Sequence, residues 1–415
     1  MSSELRKCIS MGPVNAPDGD DQDYRAHDNA GFVASTGTGW IKLWVRWDQV
    51  QPLSPALCPW DRLADPAANP GYAYLAALDA QIALARSQSP PVGVVLTSWL
   101  FPRWSNGTAD LVEGSAEDLA FHPHDRLDRD SFDAGDPAGR GKPLFYRVPE
   151  SAQLGVDGHW GRWTRFLYER YAGYGDGLVL EVMNEPNLQW WPQQGPSVSD
   201  DPFEGGGLSA PVLAATMMRT AQEIGAEHGH PLRLAAPSTW DGPKLEPVGA
   251  GGSRMYTDYE RFTQAVLTAL AADGFAAHER FVWTQHNYLD TLLDLGGDTA
   301  SANRAASTRA MLVGRWSGRP EGGARGEAPG IWLTEGGVDL REDRVAGDTD
   351  EQRRLLERNW RRMASDSGDG AGIGMLTNYL AYSELHYDSG LRDPLLSGGA
   401  PRAAAQAWRG FPSYR

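Results

Sequence analysis

Cysteine is nearly absent. The 415-residue chain holds two, Cys8 and Cys58, which excludes a disulfide scaffold and any Cys-rich zinc site and fits thiols kept in a reducing compartment. Positive charge is also in short supply. Lys and Arg number 38 against 54 Asp and Glu, a formal net charge of −16, which argues against electrostatic capture of nucleic acid or of an anionic membrane. No apolar run approaches the ~20 residues that span a bilayer. The opening MSSELRKCISMG has no apolar h-region, so the expected location is cytoplasmic. Gly-rich phosphate loops of the P-loop or dinucleotide type are missing. What the chain has in excess is aromatic surface, with 16 Trp, 14 Tyr and 11 Phe, more than a core alone requires.

Short apolar runs alternate with helical patterns. Runs at 40–47, 92–98, 177–184, 232–238, 281–288, 330–335 and 372–380 read as strands, and LRKCISM at 5–11 supplies a first one. Helical patterns fall at 72–86, 159–172, 211–228, 258–272, 301–316, 351–363 and 401–409. Strands alternating with helices predict a parallel sheet with crossover helices, and eight units predict a closed (β/α)8 TIM barrel rather than an open sheet. No linker divides differently composed halves, so residues 1–415 are expected to form one catalytic domain. Two long segments leave strand C-termini, an acidic insertion at 105–150 after the third strand and a Trp-bearing loop at 186–210 after the fourth. That is the face on which barrel active sites lie.

Two carboxylates stand out. Glu185 follows a strand in LEVMNEPN, where Pro186 forces the chain out of helical conformation. Glu335 ends a strand in WLTEGG, where two glycines give the backbone room for an abrupt exit. A single Glu at a strand end usually caps a helix or pairs at the surface. Two, on one face of a barrel, suit glycoside hydrolysis: one acid protonates the leaving oxygen while the other attacks the anomeric carbon or activates water.

Asn184-Glu185-Pro186 after the fourth strand, with Glu335 after the seventh, resembles clan A of the retaining glycoside hydrolases, in particular barrels of the family 39 and family 5 kind. The resemblance runs from about residue 40 to 410. It implies that Glu185 is the acid/base, Glu335 the nucleophile, and Asn184 a ligand of the sugar 2-hydroxyl. Arg46, ending the second strand, matches the clan's arginine that supports the nucleophile. His286-Asn287-Tyr288 matches its H-x-Y, whose tyrosine touches the nucleophile. TSWLFPRW at 97–104 is similar to a Trp/Pro-rich loop of family 39, with Trp99 and Trp104 as substrate contacts. The chain departs from the pattern at the eighth strand, which has no Trp under the sugar; Tyr379 or Tyr382 is expected to replace it. The resemblance implies a carbohydrate substrate, a β-D-glycoside or an α-L-arabinoside, and no cofactor. Two other readings stand beside it. One is a carbohydrate-binding barrel without catalysis, which would need none of Glu185, Glu335, Arg46 or Tyr288. The other is a metal-dependent barrel hydrolase, which would want several His or Asp at strand ends, where only His286 qualifies.

Side-chain alternation adds expectations of its own. Glu181 shares the parity of Glu185 and should point into the barrel, where a lone charge is costly; Lys42 or Arg46 should neutralise it in a structural ion pair. Trp190 and Trp191, in a polar loop beside Glu185, are expected to stack on sugar rings. Trp44, Trp47 and Trp283, and Trp160, Trp163, Trp316 and Trp360 on helices, are expected to pack. His122, His124 and Asp125 look metal-like but lie in an acidic loop and read as solvated. Asp18, Asp20, Asp21 and Asp23 lack EF-hand spacing.

Overall fold

The computed structural model describes residues 5–12, 29–110, 148–149, 151–188, 210–241, 258–292, 304–316, 328–342, 345–365, 367, 372–383, 387–394 and 398–412. Eight parallel strands form a (β/α)8 barrel: β1 (Arg6–Ser10), β2 (Trp40–Arg46), β3 (Gly93–Trp99), β4 (Leu178–Glu181), β5 (Arg233–Ala235), β6 (Trp283–His286), β7 (Ile331–Glu335) and β8 (Ile373–Tyr379). Their order is β5-β4-β3-β2-β1-β8-β7-β6. The seam between β5 and β6 is held by parallel bridges from Ala235 to Val282 and from Thr239 to Gln285. There the amide of Val282 donates to the Leu234 carbonyl at 3.0 Å, and that of His286 to the Thr239 carbonyl at 2.8 Å. Crossover helices include Tyr72–Ser87, His159–Tyr171, Ala210–Glu227, Tyr259–Ala272, Arg304–Arg315 and Thr349–Ser365, and Ala403–Gly410 follows β8. The helix Asn29–Ser35, which the sequence pattern did not reveal, completes the first unit. No helix among the described residues is long and apolar enough to cross a membrane.

The strands are covered on both faces, so they read as near-continuous apolar runs. In β2, Ile41, Leu43 and Val45 join the layer between sheet and helices, which leaves the alternate positions Lys42, Trp44 and Arg46 for the interior. The barrel floor is apolar and includes Cys8, Trp40, Val95, Val179, Trp332 and Met375. The guanidinium groups of Arg6 and Arg233 lie 6.0 and 5.6 Å from the Trp332 ring centroid. Higher in the barrel the interior turns polar, with Lys42 fully buried and Glu181 1% exposed.

Much of the aromatic excess is packing. Trp47, directly after β2, stacks on Trp163 at 5.3 Å with planes 7° apart. Phe101, Trp104, Trp160 and Trp60 surround the same ring. Each such pair contributes roughly 0.5–1.5 kcal/mol beyond its buried area. This wedge ties the exits of β2 and β3 to the helix His159–Tyr171, and so steadies the rim above the polar interior. Most of the 105–150 insertion, Trp190 and Trp191, the His122–Asp125 group and the early aspartates lie outside the described residues.

Candidate active site

β7 presents two consecutive side chains to the barrel axis, which plain alternation forbids. Leu333 pairs with Gln285, but the next partners are Glu335 and His286, so β7 carries one extra residue at this point. The irregularity lets Thr334 reach Glu181, at 2.6 Å, while Glu335 reaches Lys42, at 2.8 Å. Bulges commonly re-aim a side chain in this way beside active sites. Gly336 then passes so close to Asn287 that a Cβ would sit 1.9 Å from its Oδ1. Any side chain directly after Glu335 would have to displace the buried Asn287 amide.

Glu185 arrives by a different route from the one its parity suggested. β4 ends at Glu181, and beyond it both Val182 and Met183 pack in the outer layer. The chain stays attached to the β5 exit: the Ser238 amide donates to the Met183 carbonyl at 3.0 Å and the Glu185 amide to the Ser238 carbonyl at 2.8 Å. Glu185 itself has φ of 45°, a left-handed conformation that a non-glycine residue adopts only when its surroundings impose it, at a cost of order 1–3 kcal/mol. Asn187 locks the turn, exchanging two hydrogen bonds of 2.9 Å with the backbone of Trp240.

The two glutamates converge. One carboxylate oxygen of each, with one ring nitrogen of His286, lie within 4.8 Å of one another. Lys42 Nζ sits between Glu335 at 2.8 Å and Glu181 at 2.9 Å. The Tyr288 hydroxyl donates to Glu335 Oε2 at 2.7 Å. His286 Nδ1 is 2.8 Å from Glu185 Oε1, and its Nε2 is 3.5 Å from Glu335 Oε1. Asn184 lies next to Glu185, with the Ser238 hydroxyl 3.4 Å from its Oδ1.

Burial sets the proton states. It pushes the Glu185 carboxyl up to about 7, helped by the negative Glu181 and opposed by Lys42. The low-dielectric surroundings and the charge of Glu181 together raise it. Burial also brings His286 down to about 4, so its imidazole is neutral at physiological pH. Lys42 is desolvated, yet the charges of Glu181 and Glu335 more than restore its affinity for a proton. Glu181 is likewise desolvated, and Lys42, Thr334 and Thr97 together keep it below the usual carboxylate range. The Tyr288 phenol is driven well above its ordinary value by burial and by Glu335, which keeps it a donor.

Several expected residues stand elsewhere. Arg46 forms a two-pronged pair with Asp48, at 3.1 and 2.7 Å, and Lys42 occupies the position at the nucleophile expected of Arg46. Two side-chain repeats of the strand separate them, and only the tertiary fold shows which of them stands level with Glu335. Trp104 belongs to the Trp47 wedge, 5.0 Å from His159, and its N–H donates to the Gln51 carbonyl at 2.9 Å. Tyr382 packs on Phe32, at 5.8 Å, and beneath Arg392, in the outer layer rather than at the mouth. Trp99 ends β3, half-buried beside Trp44 and the Arg46 guanidinium. Tyr379 is at the site, 5.9 Å from Tyr288.

Two residues near the site went unnoticed in the sequence. Tyr387 packs edge-on against both Tyr288 and Tyr379, at 5.5 and 5.3 Å. It follows β8 at a distance that no strand pattern marks. Asp241, beyond β5, accepts from the amides of Leu289 and Asp290 at 2.9 and 3.3 Å and so anchors the short helix Tyr288–Leu292 that carries Tyr288. Its only sequence signal is an acid shortly after a strand.

The site also offers a metal-like donor set, one nitrogen and two carboxylates. These side chains already have partners, because Lys42 holds Glu335 and His286 holds Glu185. A cation would have to displace a buried ammonium.

No protein-family model matches the chain, and no curated protein matches it. Solved structures share its fold. A family 5 xyloglucanase from Paenibacillus pabuli aligns with 98% of this chain and 97% of its own at 10% identity and a TM-score of 0.52. A GH5-4 broad-specificity endoglucanase from Bacteroides salanitronis aligns over 98% and 90% at 14% identity and 0.51. An endo-β-1,4-glucanase from Xanthomonas axonopodis pv. citri aligns over 98% and 97% at 12% identity and 0.51. The chain spans 63% of a family 39 glycoside hydrolase from the gut symbiont Bacteroides cellulosilyticus, a likeness that at a TM-score of 0.49 bears no weight. At these identities what is shared is the barrel.

Proposed function

We propose that this protein is a retaining glycoside hydrolase. The observation that carries the reading is the meeting of Glu185 and Glu335 at the barrel mouth, with carboxylate oxygens within 4.8 Å. Retaining enzymes hold their carboxyl groups about 5–5.5 Å apart, and inverting enzymes leave about 6.5–9.5 Å for a water. The proton states agree with the roles. Glu185, raised to about 7, is an acid still protonated near neutrality, as the first step demands. Glu335 receives two donors, Lys42 and Tyr288, which steady a carboxylate for attack, and the His286 ring lies 3.5 Å away.

In the first step a Glu335 oxygen bonds to the anomeric carbon as the glycosidic C–O bond breaks, and the Glu185 proton passes to the leaving oxygen. Glu185, now a carboxylate, takes a proton from water, whose oxygen displaces Glu335. Two inversions retain configuration. Asn184, beside the acid, is the residue to hold the 2-hydroxyl, and Tyr288, Tyr379 and Tyr387 supply an aromatic wall where other barrels of the clan carry a Trp. The substrate class we propose is a β-D-glycoside or an α-L-arabinoside.

A panel of aryl glycosides, followed by NMR of the first-formed anomer, tests this. The expected product keeps the substrate's configuration. Initial appearance of the opposite anomer refutes retention, and failure to hydrolyse any member refutes the glycosidase assignment.

A further inference from the structure

Glu181 takes no direct part in the reaction just described, yet it is bound to its nucleophile through one shared cation. We infer that Glu181 is a positioning residue. It divides the Lys42 ammonium between two carboxylates, so that Glu335 attacks only part-neutralised and Lys42 stays paired when Glu335 becomes an ester. The inference rests on the glycosidase reading of the site.

The geometry is specific. Glu181 Oε2 accepts from Lys42 at 2.9 Å and from Thr97 at 2.5 Å, and Oε1 accepts from Thr334 at 2.6 Å. Thr97 lies directly across the ladder, as the partner of Glu181 in the β3–β4 register. Lys42 and Glu181 have fully buried side chains, and Glu335 is 3% exposed. A structural ion pair needs one anion per cation, and packed apolar residues often serve stability as well or better. Here two anions share one cation, and the excess buried charge has no structural use.

It does have a use in turnover. Before attack, Glu181 and Glu335 are negative, Lys42 is positive and Glu185 is protonated, a net charge of −1. Attack forms the Glu335–C1 bond, breaks the C1–O bond and sends the Glu185 proton to the leaving oxygen. Glu335 is then a neutral ester, Glu185 a carboxylate, and the sum is again −1. Through both steps the Glu181–Lys42 pair stays neutral while the excess charge moves from one catalytic carboxylate to the other. Without Glu181, esterification would strand a buried ammonium beside a neutral ester.

The titratable groups around this pair are Cys8 on β1, His286 on β6, Glu335 on β7 and, above them, Glu185. Tyr288 and Tyr387 face the two catalytic carboxylates. Cys8 is pushed up to about 12 and His286 down to about 4, and both phenols are raised well above their ordinary value. All four are therefore uncharged near neutrality. The negative Glu181 adds to the proton affinity of Glu185, so its charge should be legible in the pH profile.

The test is Glu181→Gln, an isosteric change that removes the charge. Its pH–rate profile is read with an aryl glycoside, and its Glu185 titration by NMR of carboxyl-labelled glutamate without substrate. We expect the basic limb and the Glu185 titration to move to lower pH by roughly one unit, and kcat/KM to fall at least about tenfold through kcat rather than KM. Glu181→Asp should bring the limb back. A wild-type limb and wild-type kcat/KM in Glu181→Gln overturn the inference. If the wild-type protein hydrolyses no glycoside, the glycosidase reading fails by itself, and an unmoved Glu185 titration still overturns the electrostatic role. Should Glu181→Gln not fold, the double variant Thr97→Val/Thr334→Val strips Glu181 of its hydroxyl donors and draws Lys42 away from Glu335. Its kcat/KM should then fall through kcat, and a wild-type kcat/KM overturns the inference.

Discussion

His286 Nδ1 lies 2.8 Å from Oε1 of Glu185. Because the imidazole is neutral near physiological pH, the two side chains together carry one proton when Glu185 is ionised and two when it is not. With Glu185 protonated, the acid can donate to Nδ1 while Nε2–H faces Glu335, 3.5 Å away. One ring then lies between both carboxylates and is hydrogen-bonded to Glu185.

Hydrolysis should therefore depend on a protonated Glu185. The kcat/KM profile is expected to fall above pH about 7, and Glu185→Gln should abolish both activity on poor leaving groups and this limb. Stability should fall with pH as well. The folded carboxyl, at about 7, lies above its ordinary 4.5, so the native state binds the extra proton and stability from this group is lost as pH rises between the two. Glu185→Gln removes that loss. At pH ~8 it should be more stable than the wild-type protein by on the order of 3 kcal/mol, and indistinguishable at pH ~4. Denaturant melts at the two pH values measure the difference.

Lys42 and Arg46 should separate cleanly. Lys42→Met leaves Glu181 and Glu335 buried without their shared cation, and breaking such a pair costs about 3–5 kcal/mol. Arg46→Met breaks the pair with Asp48, itself 10% exposed, and should spare kcat. Equal loss of kcat in both variants would return Arg46 to the nucleophile.

Tyr288→Phe removes one hydroxyl, the donor to Glu335 Oε2. The ring contacts with Tyr379 and Tyr387 remain, so the melting temperature should hold within a few degrees. Turnover is expected to drop roughly 10–100-fold, the effect of a lost charge-assisted hydrogen bond of about 1.5–3 kcal/mol. Turnover unchanged from wild type would mean that the hydroxyl does not bear on the nucleophile.

External nucleophiles should distinguish the two glutamates. Glu335→Gly is expected to be inactive, with azide or formate entering the vacated space and giving a product of inverted configuration. Glu185→Ala should still glycosylate from substrates with a good leaving group and then stall, and azide should release a glycosyl azide of retained configuration. Opposite configurations would exchange the roles of Glu185 and Glu335.

Apolar periodicity was enough for the barrel, because strands covered on both faces must be apolar throughout and their crossover helices must be amphipathic. The seven runs from 40 to 380 each contain an observed strand. Asn184, Glu185, His286, Tyr288 and Glu335 were legible for a related reason: residues that leave strand C-termini meet at one mouth whatever the intervening loops do. Local sequence does not encode axial height or local aim. Lys42 and Arg46 share parity on one strand, and the stagger of β2 against β7 alone decided that the lysine meets Glu335. Trp104 and Tyr382 have the composition of sugar contacts, but the packing around Trp47 and Phe32 claims them. The extra residue on β7 and the left-handed turn at Glu185 aim the two carboxylates at each other. Such departures from regular geometry are held in place by contacts distant in the chain, which is why the residue types were readable from the sequence and their convergence only from the fold.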